Sequence, residues 1–323
     1  MFRLGPRLLQ KWLSQQPAVT CAVLFPGQGS QYVGMCRQLL SVRGVEELFE
    51  EAESVLQNGL KKLCLEGPQE ELDRTINCQP AVMLASLAAL KKLEVHDQQA
   101  YEGITVAAGF SVGELTALVA SGVMTLTDGL RLVQARAKAM QHACEITPSA
   151  LTSVTGIDDD QLTQMCQELV TSNEVLTVAN FLFPQGRVVS GSLPAIERFE
   201  EAASKAGLKK KVKRLPVSGA FHSSLMEPAV EEFKEALSQV KLNPTKFPVY
   251  SNVTGLPYKS THEVTELLVR QICQPVLWEQ GMRHMLSNFE LAAFYEVGPK
   301  RQLRAMLQRI DSAAAQTTKN IEA

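Results

Sequence analysis

The chain has 323 residues, of which 45 % are hydrophobic and 20 % charged, and its formal net charge is −2 at pH 7. This is the profile of a globular protein with one large domain and room for a small insertion, and nothing in the charge points to nucleic acid or an anionic membrane as partner. No apolar run approaches the roughly 20 residues of a membrane helix, and the seven cysteines, odd in number and without a CxxC pair, argue against a disulfide framework or a structural zinc site and read as small core residues of a reducing compartment.

Residues 1–20 differ from the rest. Arg3, Arg7 and Lys11 recur every four positions beside Leu4, Leu8, Leu9, Trp12 and Leu13, and no acidic residue precedes Glu46. An amphipathic, acid-free start resembles a mitochondrial presequence; the alternative is a disordered leader. Ala22–Phe25 reads as a buried strand running into the turn-rich Pro26-Gly27-Gln28-Gly29-Ser30-Gln31. Helical periodicity follows through Val45–Leu56, and Gln79-Pro80 opens a further helix. Ile104–Ala108 is a strand and Gly109-Phe110-Ser111-Val112-Gly113 a sharp turn. The helix after it, about Glu114 to Ser121, is capped by Gly122. Thr127 or Asp128 caps the next one. From 149 to 215 the pattern reads β-α-β-β-α-β, a small ferredoxin-like subdomain inserted between 21–148 and 216–310. Strands at Val249–Asn252 and Leu291–Val297 and helices at Glu263–Ile272 and Trp278–Leu286 complete the main domain. Residues 311–323, polar and alanine-rich, read as a mobile tail.

Gly109-Phe110-Ser111-Val112-Gly113 has the G-x-S-x-G form between a strand and a helix. A turn that tight needs glycine on both sides and lifts the Ser111 hydroxyl above a helix N-terminus. There the dipole and the Val112 N–H can stabilise an oxyanion. Gly27-Gln28-Gly29-Ser30 also follows a strand, but Tyr32 stands where a dinucleotide fingerprint wants its third glycine, and no Gly-Lys-Ser/Thr ending makes it a phosphate loop. It is either a plain turn or the source of a second N–H, from Gln28, for the same oxyanion. Ser111 needs a base. His142 and His284 fall in helical patterns, His96 ends a helix and His262 sits in a polar turn, whereas His222 lies in a loop of small residues, Leu215-Pro216-Val217-Ser218-Gly219-Ala220-Phe221-His222. His222 is therefore the preferred base. A long stretch of chain follows it, so the usual hydrolase order of serine, acid and C-terminal histidine fits poorly.

The glycine loop, the serine turn, the Leu215–His222 loop and Glu296-Val297-Gly298-Pro299 together resemble the malonyl-CoA:acyl carrier protein transacylases, over about Ala22 to Leu307. The resemblance implies an α/β-hydrolase-like core carrying the ferredoxin-like subdomain, with Ser111 as nucleophile, His222 as base, and the backbone N–H groups of Gln28 and Val112 as the oxyanion hole. Gln271 stands where the family orients the histidine with a backbone carbonyl, and Arg136 where it grips the malonyl carboxylate with a forked guanidinium. Phe221, before the histidine, matches the position where a bulky ring excludes an α-methyl branch. The implied reaction takes malonyl from malonyl-CoA to holo acyl carrier protein through a malonyl-serine, with no cofactor and no metal; coenzyme A is released. Gly-Phe-Ser-Val-Gly-Glu is similar to the mitochondrial animal members, which implies the mitochondrial matrix, or the cytoplasm if the leader is not a presequence. Two departures stand out: Phe110 where many members have histidine, and Lys300 where glycine often follows Gly-Pro; both imply local changes of packing only. Lys209, Lys210, Lys211, Lys213 and Arg214 form either a docking patch for an acidic carrier or a lysine-protected edge strand. The competing functions are a thioesterase with the same serine turn, for which a buried Arg136 has no use, and a catalytically inert docking subunit, which would not need the Ser111 and His222 pair.

Overall fold

The computed structural model describes residues 20–217 and 219–323; apart from Thr20, the basic leader lies outside the described residues. The elements that build and frame the site are β1 (Cys21–Phe25), α1 (Thr75–His96), β2 (Ile104–Gly109), α2 (Val112–Ala120), α3 (Leu126–Ile146), β3 (Ser149–Thr155), α4 (Asp159–Leu169), β4 (Leu176–Phe183), β5 (Gly186–Ser192), α5 (Leu193–Lys205), β6 (Val212–Arg214), β7 (Val249–Tyr250), α6 (Thr261–Gln271), α7 (Trp278–Asn288), β8 (Ala293–Gly298), α8 (Gln302–Ile310), α9 (Ser312–Gln316) and β9 (Thr318–Glu322).

Five strands form a parallel sheet in the order β7-β2-β1-β8-β9. β1 and β8 are buried along their whole length, because helices cover both faces; β1 reads accordingly as an unbroken apolar run, while Glu296 of β8 accepts from the Leu303 and Arg304 N–H groups at 2.8 and 2.9 Å. The pleat sends Cys21, Val23 and Phe25 into a core shared with α1 and α3, and Ala22 and Leu24 into a second core with Trp278, Met282 and Leu303. Six of the seven cysteines are buried, most of them in the larger core. Parallel strands put their carboxyl ends on one edge, so the loops after β1, β2, β7 and β8 converge there.

β3 to β6, with α4 and α5, form a separate antiparallel sheet in the order β4-β5-β3-β6, over its own core of Leu162, Val189, Ile196 and Phe199. This is the expected ferredoxin-like arrangement. Arg187 fastens it to the main domain: its guanidinium donates to Asp159 at 2.8 Å and to Glu279, on α7, at 2.9 Å. β6 is an edge strand, with Lys213 exposed on it and Lys209, Lys210 and Lys211 exposed just before it, while Arg214 pairs with Glu200 at 2.7 Å.

Three expectations need correction. The tail after Ile310 is not mobile. Asp311 caps α9 by accepting from the Ala314 N–H at 2.8 Å, and β9 pairs with β8 from Phe294–Thr318 to Gly298–Glu322. The open edge of β8 offers backbone donors and acceptors to an extended segment whatever its hydropathy. α1 begins at Thr75, with Pro80 inside it. Proline there forgoes the bond its N–H would give to the Ile76 carbonyl and crowds that carbonyl, and the turn is buried at Thr75, Cys78 and Gln79. α3 is capped by Thr125, whose hydroxyl accepts from the Asp128 N–H at 3.1 Å, rather than by Thr127 or Asp128.

Candidate active site

The turn between β2 and α2 is as tight as its glycines require. A Cβ on Gly109 would sit 1.9 Å from the Gly113 carbonyl, and one on Gly113 would sit 2.2 Å from the Phe25 carbonyl oxygen. Ser111 takes φ 53°, ψ −111° at the N-cap of α2, a sparsely populated conformation that persists only where the surroundings over-determine it. Here Asn252, just past the carboxyl end of β7, supplies the restraint. Its Oδ1 accepts the Ser111 N–H at 2.7 Å and its Nδ2 donates to the Gly109 carbonyl at 2.7 Å.

Ser111 Oγ lies 2.8 Å from His222 Nε2. On the other side of the ring, Nδ1 lies 2.8 Å from the Gln271 carbonyl oxygen. A carbonyl only accepts, so Nδ1 carries the proton and Nε2 is left to accept the serine's. His222 also has a positive φ, 58°. The loop behind it is tied down by Ser223 Oγ, which donates to the Ala220 carbonyl at 2.6 Å. Burial, reinforced by the charge of Arg136, lowers the imidazole to about 4, so the ring is neutral at neutral pH. His284 instead meets the Tyr250 hydroxyl at 2.8 Å, His96 and His142 lie in α1 and α3, and His262 lies in the first turn of α6.

Arg136 reaches the same serine from α3. Nη2 donates to Ser111 Oγ at 3.3 Å and to Gln271 Oε1 at 2.7 Å, and Nη1 donates to Gln79 Oε1 at 2.5 Å. It is 1 % exposed, and burial lowers its pKa to about 10, still cationic at neutral pH. All three acceptors are neutral groups. Gln271 thus contributes twice, with its backbone to His222 and with its side chain to Arg136. Its Nε2 donates to the Ser111 carbonyl at 3.0 Å and to Glu114 Oε2 at 2.5 Å.

These groups open into a cleft of about 410 Å³, lined also by Gln28, Val112 and Phe221. Val112 is the first residue of α2, where a backbone N–H has no intrahelical partner. Phe110 packs edge-on to Trp278, with ring centroids 5.7 Å apart, and also lines the cleft. Lys300 takes φ 61°, the conformation for which glycine is the usual choice, and its Nζ donates to the Gly29 carbonyl at 3.2 Å. Four residues of this network, Gln79, Glu114, Asn252 and Tyr258, whose hydroxyl donates to Glu114 Oε1, were not singled out from the sequence. Asn252 had one available signal, its place just past a strand at the carboxyl edge.

A parallel α/β core with a serine turn at its carboxyl edge and a ferredoxin-like insertion defines a class of acyl-transfer domains. Residues 23–321 match the family model described as acyl transferase domain, and the chain belongs to that family. It is 42 % identical over 305 residues to the mitochondrial malonyl-CoA-acyl carrier protein transacylase of Mus musculus, covering 91 % of this chain and 80 % of the mouse protein. It is 36 % identical over 290 residues to the malonyl CoA-acyl carrier protein transacylase of Escherichia coli K12, covering 90 % and 92 %. Among solved structures it resembles, with a TM-score of 0.85 and 32 % identity over 94 % of this chain and 96 % of the other, a malonyl-transacylase in complex with its type II polyketide acyl-carrier protein.

Proposed function

We propose that the chain transfers malonyl from malonyl-CoA to the phosphopantetheine thiol of acyl carrier protein, for fatty acid synthesis, through a malonyl ester on Ser111. The observation that carries this reading is the meeting at one oxygen of a neutral base and a buried cation: His222 Nε2 at 2.8 Å and Arg136 Nη2 at 3.3 Å from Ser111 Oγ. A base beside a serine serves any acyl transfer. A buried guanidinium in contact with the same oxygen serves an acyl group that ends in a carboxylate.

His222 takes the Ser111 proton as Oγ attacks the thioester carbonyl. The N–H groups of Gln28 and Val112 hold the oxyanion, a term worth about 3–4 kcal/mol per donor. The C–S bond breaks, the departing coenzyme A thiolate takes the proton back from the imidazolium, and malonyl-Ser111 remains with its carboxylate on Arg136. The carrier's thiol then gives its proton to His222, its sulfur attacks the ester, and the serine oxygen leaves with that proton. One thioester replaces another, so the exchange is close to isoenergetic and reversible, and no cofactor or metal takes part. The ring of Phe221 limits the space beside the α-carbon. Lys209, Lys210 and Lys213 stand on the edge that leads into the Leu215–Val217 wall of the cleft and would meet an acidic carrier there. The mitochondrial relatives and the basic, acid-free leader support location in the mitochondrial matrix.

The test is intact-mass analysis after mixing with malonyl-CoA, followed by addition of holo carrier protein. A malonyl adduct on Ser111 that discharges onto the carrier is expected. Free malonate without carrier labelling would make the protein a hydrolase, and no adduct at all would make it an inert subunit.

A further inference from the structure

Glu114 is the most deeply buried carboxyl group beside the serine, 0 % exposed, and no step above uses it. It lies in the first turn of α2 and gathers groups from three other segments. Oε2 accepts from Gln271 Nε2 at 2.5 Å and from the Asn252 backbone N–H at 3.1 Å, and Oε1 accepts from the Tyr258 hydroxyl. Each of the first two partners holds part of the site. Asn252 clamps the serine turn at Ser111 N and Gly109 O. Gln271 holds His222 with its carbonyl and Arg136 with its Oε1.

We propose that Glu114 is a positioning residue: by accepting from Gln271 and Asn252 it fixes which way the Gln271 amide faces, and so aims Arg136 and restrains the Ser111 turn. An amide has one accepting and one donating end. With Nε2 committed to Glu114, Oε1 must face Arg136; reversed, it would set an NH₂ against a guanidinium. Without an acceptor at position 114 the amide is held only by the longer bond from Nε2 to the Ser111 carbonyl at 3.0 Å and by Arg136 itself, and the cation is less firmly aimed at a carboxylate. Burial lifts the Glu114 carboxyl to about 7, against the downward pull of its hydrogen bonds and of Arg136. The arrangement survives protonation, because a proton on Oε1 can be donated to the Tyr258 oxygen while Oε2 still accepts. The same logic makes Glu114→Gln conservative, since its Oε1 can replace the accepting oxygen and its NH₂ can face Tyr258.

This rests on the reading of Ser111, His222 and Arg136 given above, and the experiment separates the two. Full-length wild type, Glu114→Gln and Glu114→Ala are compared for kcat/KM of acyl-enzyme formation with malonyl-CoA and with acetyl-CoA, alongside their melting temperatures. In Glu114→Ala the malonyl-over-acetyl preference is expected to fall by at least about tenfold, and in Glu114→Gln it should stay within about threefold of wild type. Loss of stability alone would lower both substrates together and leave the ratio intact. A folded Glu114→Ala with an unchanged ratio overturns the proposal while leaving the wild-type adduct, and hence the reading of the site, standing. Should the alanine variant not fold, Glu114→Met, which fills the space without accepting, takes its place under the same criterion.

Discussion

Replacing Arg136 with alanine tests the interaction proposed to distinguish malonyl from simpler acyl groups. In the free protein the guanidinium is satisfied by Gln79, Gln271 and Ser111, all uncharged, and the nearest carboxyl, that of Glu114, is across the Gln271 amide. Among the described residues the cation has no ion-pair partner, and on the proposed reading a substrate carboxylate would supply the missing charge. Truncating one partner of a buried, hydrogen-bonded charge pair costs about 2–5 kcal/mol. At about 1.4 kcal/mol per decade, kcat/KM for malonyl-CoA should drop by roughly 30-fold to 4,000-fold. Acetyl-CoA has no carboxylate to lose, so its kcat/KM should stay within about tenfold and the preference should swing toward acetyl. The freed acceptors of Gln79 and Gln271 carry a stability cost of about 1–3 kcal/mol each if left dry, so the melting temperature is recorded in parallel. Rapid-quench intact-mass measurement of acyl-Ser111 with each substrate gives both rates. An unchanged malonyl-to-acetyl ratio in a folded variant would refute the placement of the carboxylate on Arg136.

Ser111→Ala should abolish the acyl adduct, and His222→Ala should slow loading and discharge alike by about 10³-fold or more, both read by single-turnover mass analysis; slowing of only one step would contradict a shared base. Phe221→Ser should raise methylmalonyl relative to malonyl kcat/KM by about 10–100-fold, the worth of one methyl's space. Reversing charge at Lys209, Lys210 and Lys213 should raise KM for the carrier protein in a salt-dependent way while sparing KM for malonyl-CoA. A last prediction concerns pH. Glu114 sits at about 7, above its ordinary 4.5, so the native state binds that proton more tightly and Glu114's contribution to stability falls as pH rises from about 4.5 to 7. His222 sits at about 4, below its ordinary 6.5. The unfolded state binds that proton more tightly, so its contribution grows with pH between about 4 and 6.5. The two slopes oppose each other in wild type. Glu114→Gln should unmask the second, gaining on wild type by on the order of 3 kcal/mol between pH 4.5 and 7 in denaturant titrations; parallel curves would contradict it.

What was legible in the sequence follows from the range of the physics involved. The serine turn is local: at Gly109 and Gly113 a Cβ would strike backbone within 2.2 Å, so strand, glycine and helix leave a compact trace. The ferredoxin-like insertion was legible for the same reason, since each of its elements announces its own period. Glu114 was not. An acidic residue in the first turn of a helix is the ordinary complement to the helix dipole, and only Asn252, Tyr258 and Gln271, more than a hundred positions away, make it a buried junction. β9 escaped because its pairing with β8 is a backbone affair. Thr318-Lys319-Asn320-Ile321-Glu322 has little of the apolar alternation by which a strand is read.

The two residues proposed to react both hold left-handed backbone angles, Ser111 at 53° and His222 at 58°, and neither is glycine. Such conformations cost about 1–3 kcal/mol each, so an unrestrained chain would relax them and separate the oxygen from the imidazole. The restraints come from groups that do no chemistry: Asn252 on the serine turn, the Gln271 carbonyl on the ring, and Ser223 on the loop behind it. Gln271 ends α6, Asn252 follows β7, and Glu114 joins the two, so the restraints form one connected unit. The pairing of serine and histidine is therefore a property of the carboxyl edge of the sheet as a whole. A substitution at that edge, even one facing away from the cleft, should be felt first in the geometry of the serine–histidine pair and only secondarily in the affinity for coenzyme A.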